Sequence, residues 1–401
     1  MGPASPPQRR GRPPGHSGTT WCLPAGAAAA VEQVELPLVR CPRCGGRVRR
    51  RGDWQDHVVL DLPPLAAVFR NFRHERGYCP RCRQTVRAPA AADEPPHGHL
   101  GMRLLALVAS LKSQAGMSYA KIQALLQEFQ VPVSRAALVH SVRRVAEWLQ
   151  PRYAALRQQV RAAPVVYADE TGWPVDGKNG WMWAFTTGPA TLYAAEPTRA
   201  RTVAAAVLGE DQEGVLVTDF YAVYESLRRE HQYCWAHLLR EAKEVAAVGG
   251  PVARRLHQTL ARIFHDATVL QERLPLGRPA VQYRAMHGIH RRLSRLRQGA
   301  SRNPDVERLK QRIARTQEGL LTFLWRPEIA PTANLGERKI RPVVVARKLN
   351  GGSRSWSGAR AHAVLMSCLQ SLDHFRVSFL DLLRGAAGPP HLRPALGSVL
   401  D

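Results

Sequence analysis

The sequence predicts an α/β protein in which a mixed sheet carries a helical insertion and is preceded by a cysteine-clasped segment and a helical segment. Three observations predict it. Short β-rich runs begin after Pro164, a charged, Arg-rich helical pattern runs from Leu238 to about Leu324, and two C-x2-C pairs bracket residues 39–90.

A chain of 401 residues is long enough for two or three domains, and 45% hydrophobic content can build a sizeable core. The 57 Lys and Arg against 32 Asp and Glu give a formal charge of +25, which points to a polyanion, nucleic acid first, as partner. The bland reading is codon bias, since only seven of the 57 are Lys. No run of about 18 uncharged apolar residues occurs, which argues against a membrane helix, and the Pro/Gly/Arg-rich start lacks the layout of a signal peptide. Four of seven cysteines fall in matched pairs, leaving Cys22, Cys234 and Cys368 over; in a non-secreted chain that usage reads as metal binding in a reducing cytoplasm.

In chain order, residues 1–38 lack apolar periodicity and read as a flexible basic tail. Residues 39–90 form the expected zinc ribbon. Two residues between Cys41 and Cys44, and again between Cys79 and Cys82, let each pair of thiolates turn onto one tetrahedral Zn²⁺, with Gly45-Gly46 as the tight turn beneath. Arg43, Arg47, Arg49, Arg50 and Arg51 crowd the first knuckle, where phosphate contact and a purely structural role are equally open.

After the linker "RAPAAADEPPHGH", residues 98–160 are expected to be helical. Ser118 can cap a helix with Ile122, Leu125, Leu126 and Phe129 on one face. Ser134 can cap another with Leu138, Val142, Val145 and Leu149 inward. The pair fits a helix-turn-helix presenting Arg135, His140, Arg143 and Arg144 to a DNA groove, although Arg on a helix is often simply solvated.

Residues 161–385 read as the α/β domain, with "PVVYAD", "GWMWAFTT" and "ATLYAAE" as an antiparallel meander turned through "VDGKNG". An Ala-rich helix follows, then strands "GVLVTDF" and "HQYCWAH", then the helical insertion at about 238–325. Residues 386–401 read as a second flexible tail.

The carboxylates carry the chemistry. "VVYADETGW" and "GVLVTDFYAVY" place Asp169 and Asp219 at the ends of apolar strands, where a buried strand has reason to end in an acid only if it meets solvent, a metal or a cation. Adjacent strands would set both acids on one edge, as phosphoryl transfer between two metal ions about 4 Å apart requires. A strand-end Asp capping the next turn is as common, so the pair alone leaves both readings open.

The segment "PTANLGERKIRPVVVARKLNGGSRSWSGARAHA" makes the series recognisable. With the ribbon cysteines, "ADETGWPVDGKNGWMWAF" and "DFYAVY" followed by "CWAHLLRE", it resembles the transposases of the insertion sequence 66 family over about residues 38–375. The resemblance implies a ribonuclease-H-like catalytic domain with Asp169, Asp219 and Glu337 as the catalytic acids holding Mg²⁺ or Mn²⁺. Glu170 matches an acidic position that is not a ligand. Arg338, Arg341, Arg347 and Lys348, with Arg338's neighbour Lys339, are cations suited to incoming phosphates.

"CWAH" looks like the C-x2-H motif of related transposases and would place Cys234 and His237 on the strand beside the site, with packing, orientation of an acid or DNA contact all open. The implied function is cutting of element ends and joining of their 3′-hydroxyls to target DNA by a nucleoid-associated cytoplasmic enzyme. It would work as an oligomer on DNA, with accessory proteins of the same element as possible partners. The alternatives are a catalytically inactive zinc-ribbon regulator and a nuclease without strand transfer.

Overall fold

The computed structural model describes residues 34–37, 39–40, 43–47, 49, 66–91, 93–210, 213–274 and 279–387. Most of both expected tails, and Cys41, lie outside them. The chain divides into a unit of residues 1–65 and a unit of residues 66–401. In the first, an isolated antiparallel bridge joins Arg40 to Arg47 around exposed Cys44, and Gly45 takes the left-handed backbone (φ +73°) that a tight knuckle turn needs.

The second unit opens with an exposed hairpin, β1 (Arg76–Cys79) and β2 (Gln84–Arg87), paired antiparallel from Arg76↔Arg87 to Cys79↔Gln84. Cys82 lies in its turn. Four helices follow: α1 (Met102–Ser113), α2 (Tyr119–Glu128), α3 (Arg135–Trp148) and α4 (Gln150–Ala162). The two serines cap as the sequence predicts, Ser118 Oγ accepting from Lys121 N at 3.3 Å and Ser134 Oγ from Ala137 N at 3.2 Å. Leu138, Val142, Val145 and Leu149 are all buried.

The sheet is built from β3 (Val165–Gly172), β4 (Trp181–Thr186), β5 (Thr191–Glu196), β6 (Val215–Thr218) and β7 (Glu230–Tyr233), with helices α5 (Arg201–Leu208) and α6 (Ala222–Glu225) in the two crossovers. Strand order is β5-β4-β3-β6-β7; the first three are antiparallel, while β3, β6 and β7 run parallel. Parallel strands need crossovers, and the helices in both of them pack on one face of the sheet. Side chains alternate accordingly. Val166, Ala168, Trp183, Phe185 and Leu216 face a core shared with α1–α5, whereas Tyr167, Val215, Val217 and Tyr233 face the helices after the sheet.

Those helices are α7 (Trp235–Val248), α8 (Gly250–Arg273), α9 (Pro279–Leu296) and α10 (Pro304–Trp325), after which come α11 (Asn334–Asn350), α12 (Trp356–Leu369), α13 (Leu372–Phe375) and α14 (Phe379–Ala387). One expectation is corrected here. "HQYCWAH" is not a continuous strand: β7 stops at Tyr233, Cys234 caps α7, and His237 stands in the first helical turn. Buried Tyr233 and Trp235 mimic strand alternation, but Trp235, Leu238, Ala242 and Val245 follow the helical period and bury one helix face.

The two ends of the α7–α10 stretch are stitched together. Trp235 N donates to Pro331 O at 3.1 Å, and Ala333 N donates to Cys234 Sγ at 3.1 Å. α11 then packs on β3 and β4, and Gly336 in its first turn lies against Tyr167 and Ala168, where a Cβ would meet the Tyr167 Cβ at 3.6 Å.

Candidate active site

The parallel register Val165↔Val215, Val166↔Leu216, Tyr167↔Val217 sets Asp169 and Asp219 level, each two residues beyond the last pair. Both carboxylates are held by neighbouring amides: Asp169 Oδ1 accepts from Glu170 N and Asp219 Oδ1 from Tyr221 N, each at 2.9 Å. Glu337 arrives from the first turn of α11, beside the Ala168 backbone that Gly336 touches. The structure therefore brings the three sequence-predicted acids to one end of the sheet.

Their mutual field is visible at Asp169, whose carboxyl is pushed up to about 7, first by burial and then by the charges of Glu170, Asp219 and Glu337. Glu337 Oε1 is buried without a hydrogen-bond partner, 3.6 Å from His237 Nδ1. A buried acceptor on Glu337 and an Asp169 carboxyl raised by burial and by nearby acids are oxygen donors of the kind that hard divalent cations take. These residues fit Mg²⁺ or Mn²⁺.

Two consequences follow for pH. The folded-state value of Asp169 lies above its unfolded value near 3.8, so the metal-free protein binds the extra proton and loses stability as pH rises from about 4 to about 7. Protons also compete with the cation. Mg²⁺ affinity, measured by calorimetric titration, is expected to fall roughly tenfold per pH unit below about 7. A flat affinity between pH 8 and pH 5.5 would exclude Asp169 as a ligand.

Glu170 faces the other way. Its side chain is 2% exposed, and it accepts from Arg199 Nε at 2.9 Å and from the hydroxyl of Tyr224. The Arg199 guanidinium also lies over the rings of Tyr221, 3.9 Å from its centroid, and Trp181, at 4.8 Å. Burial raises the Glu170 carboxyl, against the bonds from Tyr224 and Arg199. This clamp fixes the residue next to Asp169. Sequence reasoning missed Arg199, which sits in the β5–α5 loop and belongs to no motif.

A cavity of about 310 Å³ opens beside Asp219, lined also by His237, Arg240, Glu241 and Arg312. Of the predicted phosphate contacts on α11, Arg338, Arg341 and Lys348 are exposed and share one face. Arg347 points to the opposite side, donating to Thr171 Oγ1 at 3.1 Å and to Gly172 O. On α3, Arg135 is exposed, whereas Arg143 donates to Ser355 Oγ at 3.3 Å and Arg144 to His97 O at 2.9 Å. Cys79 ends β1 and Cys82 lies in the turn that follows, where the backbone amide of Cys82, then its side chain, and the amide of Arg81 hold the Cys79 thiol below its usual range.

The sheet order and the placement of Asp169, Asp219 and Glu337 define a mixed α/β protein with three acids at one end of its sheet. The family model described as Transposase IS66 family matches residues 97–361, spanning every element from α1 to the first half of α12, and the chain belongs to this transposase family. Similar curated proteins include three uncharacterized proteins of Sinorhizobium fredii (strain NBRC 101917 / NGR234). These are y4jD, 25% identical over 84% of this chain and 72% of its own length; y4hP, 23% over 83% and 67%; and y4qI, 24% over 88% and 71%. Among the described residues no helix is long and apolar enough to cross a membrane.

Proposed function

We propose that this transposase cuts the ends of an insertion sequence and joins their 3′-hydroxyls to target DNA, on a ribonuclease-H-like domain whose catalytic acids are Asp169, Asp219 and Glu337. The observation that carries the reading is the level register of Asp169 and Asp219 on parallel neighbours with Glu337 delivered beside them by α11. The order β5-β4-β3-β6-β7, antiparallel then parallel, supports the fold.

Mg²⁺ or Mn²⁺ bound by the three acids would supply the charge that activates the attacking oxygen and stabilises the leaving one. The chain's own residues do the rest. Asp169 must be deprotonated to bind the ion, and the Glu170–Arg199–Tyr224 clamp keeps its strand end in place. Arg338, Arg341 and Lys348 line up to neutralise and position backbone phosphates, a role that carries no sequence information by itself. Residues 98–160, with Arg135 at the start of α3, form the proposed further DNA-binding segment, and Arg143, Arg144 and Arg347 brace the elements around it from within.

The test is a strand-transfer assay with labelled element ends, Mg²⁺, and accessory proteins of the same element, beside a gel-shift measurement. Cleavage followed by joining supports the transposase. Binding without cleavage under any divalent metal would favour the regulator, and cleavage without joining the nuclease.

The segment 39–90 is proposed as a zinc ribbon closed by Cys41, Cys44, Cys79 and Cys82, with the Cys79–Cys82 hairpin as its second knuckle. Cys79→Ser is expected to lower the zinc content of the purified chain by one equivalent while the melting of residues 98–385 stays unchanged. Unaltered zinc content would overturn the ribbon.

A further inference from the structure

The break between β7 and α7 gives Cys234 and His237 a use that a strand would not. At the start of a helix, residues three apart lie on one side, so the Cys234 thiol and the His237 imidazole turn to the same place. Glu337 reaches it from α11. One donor atom each from Cys234, His237 and Glu337 all lie within 4.8 Å of one another.

Two of those atoms, His237 Nδ1 and Glu337 Oε1, are buried with no hydrogen-bond partner, and they stand 3.6 Å apart. Tetrahedral bonds of about 2.0–2.3 Å set the donors of one zinc ion roughly 3.3–3.8 Å from each other. The spacing lies in that window. Cys234 Sγ already accepts a hydrogen bond from Ala333 N, the kind of outer contact that orients a ligating thiolate. His237 also lines the cavity beside Asp219.

We propose that Cys234, His237 and Glu337 form a binding site for a thiophilic divalent cation, Zn²⁺ foremost, with a fourth position open to the cleft. A thiolate and an imidazole select against Mg²⁺, which takes oxygen ligands, so the site is chemically separate from the all-carboxylate set although it shares Glu337. Loading releases the proton of the Cys234 thiol, and His237 binds as the neutral imidazole. Resting on the triad reading, a further consequence is inhibition: an ion held by sulfur and nitrogen engages Glu337 and withdraws it from Mg²⁺.

The experiment uses Co²⁺ as a visible probe on the full chain. Wild type and Cys234→Ser are titrated side by side, and their difference is expected to show one equivalent of thiolate-to-cobalt charge transfer with visible bands of a four-coordinate ion. His237→Asn and Glu337→Gln are expected to weaken that equivalent at least tenfold. His237→Asn also stands in if Cys234→Ser fails to fold by circular dichroism.

No cobalt difference between wild type and either variant would overturn the site. In the cleavage assay, the Zn²⁺ concentration that halves each protein's own Mg²⁺-only rate should rise at least tenfold in Cys234→Ser. An unchanged value would overturn the inhibitory role. The two readings separate cleanly. A wild-type cobalt equivalent that Cys234→Ser lacks and Glu337→Gln weakens, with normal cleavage by Glu337→Gln, sinks the triad and leaves the site, whereas loss of cleavage in Glu337→Gln with no cobalt difference sinks the site and leaves the triad.

Discussion

Replacing Asp169 or Asp219 by Asn, or Glu337 by Gln, is expected to lower cutting and joining by about three orders of magnitude at each position, while binding to element ends persists. Each substitution keeps the shape of the side chain and removes one charge from a set that the register of β3 and β6 and the start of α11 bring together. Charge stabilisation by a bound metal ion is worth several kcal/mol in the transition state, and roughly 4 kcal/mol corresponds to a factor near a thousand. DNA binding draws on separate groups, among them the exposed Arg338, Arg341 and Lys348, and removing an anion from the cleft cannot weaken them. The decisive measurement runs strand transfer and gel shift on the same variants. If Glu337→Gln joins ends at the wild-type rate, Glu337 is not the third acid and Glu328 is the next to test.

A second large effect is expected at Arg199, which touches none of the three acids. Arg199→Met leaves Glu170 buried with only Tyr224 as partner, and stranding one member of a buried pair costs about 3–5 kcal/mol. Because the arginine side chain is itself 38% exposed, solvent screening reduces this to about 2 kcal/mol, or a melting temperature lower by roughly 4 °C.

The sign with pH follows from the same carboxyl. Burial already raises Glu170, and losing Arg199 raises it further, so the folded variant takes up a proton that the unfolded chain releases. The deficit is therefore smallest in acid and grows as pH rises. Thermal melts at pH 5 and pH 8 that show the same loss would mean that Arg199 acts through its stacking on Trp181 and Tyr221 alone.

Much of this arrangement is legible from residue pattern. Val165–Ala168 and Val215–Val217 read as strands buried on both faces, and each ends in an acid, so the level placement of Asp169 and Asp219 follows once the two strands are neighbours. Ser118 and Ser134 announce their helices because a hydroxyl before an apolar periodic run has one strong use.

Other features have no local signal. Tyr233 and Trp235 alternate as strand residues do, which masks where the strand ends, and the tertiary bonds from Cys234 N to Thr218 O and from Trp235 N to Pro331 O hold the chain at that turn. Arg347 and Arg341 are both arginines on α11, yet one braces β3 and the other faces solvent, a distinction set by helix phase against the sheet and invisible in composition. Arg199 acts from a loop, where no periodicity exists to mark it.

The stitched neck beneath α7–α10 has a consequence for how such proteins can change over time. Since Trp235 bonds to Pro331 and Cys234 to Ala333, everything between leaves the sheet and returns to it through one fixed doorway. The distance that Glu337 must be carried is thus set by the doorway and not by the contents. Lengthening a flexible excursion twofold adds only about 0.6 kcal/mol of closure entropy. Lineages are free to lengthen or exchange the outer α8–α9 hairpin, grafting new recognition surfaces there, while α10, bonded to β7, and His237 on α7 keep their places beside the sheet and Glu337.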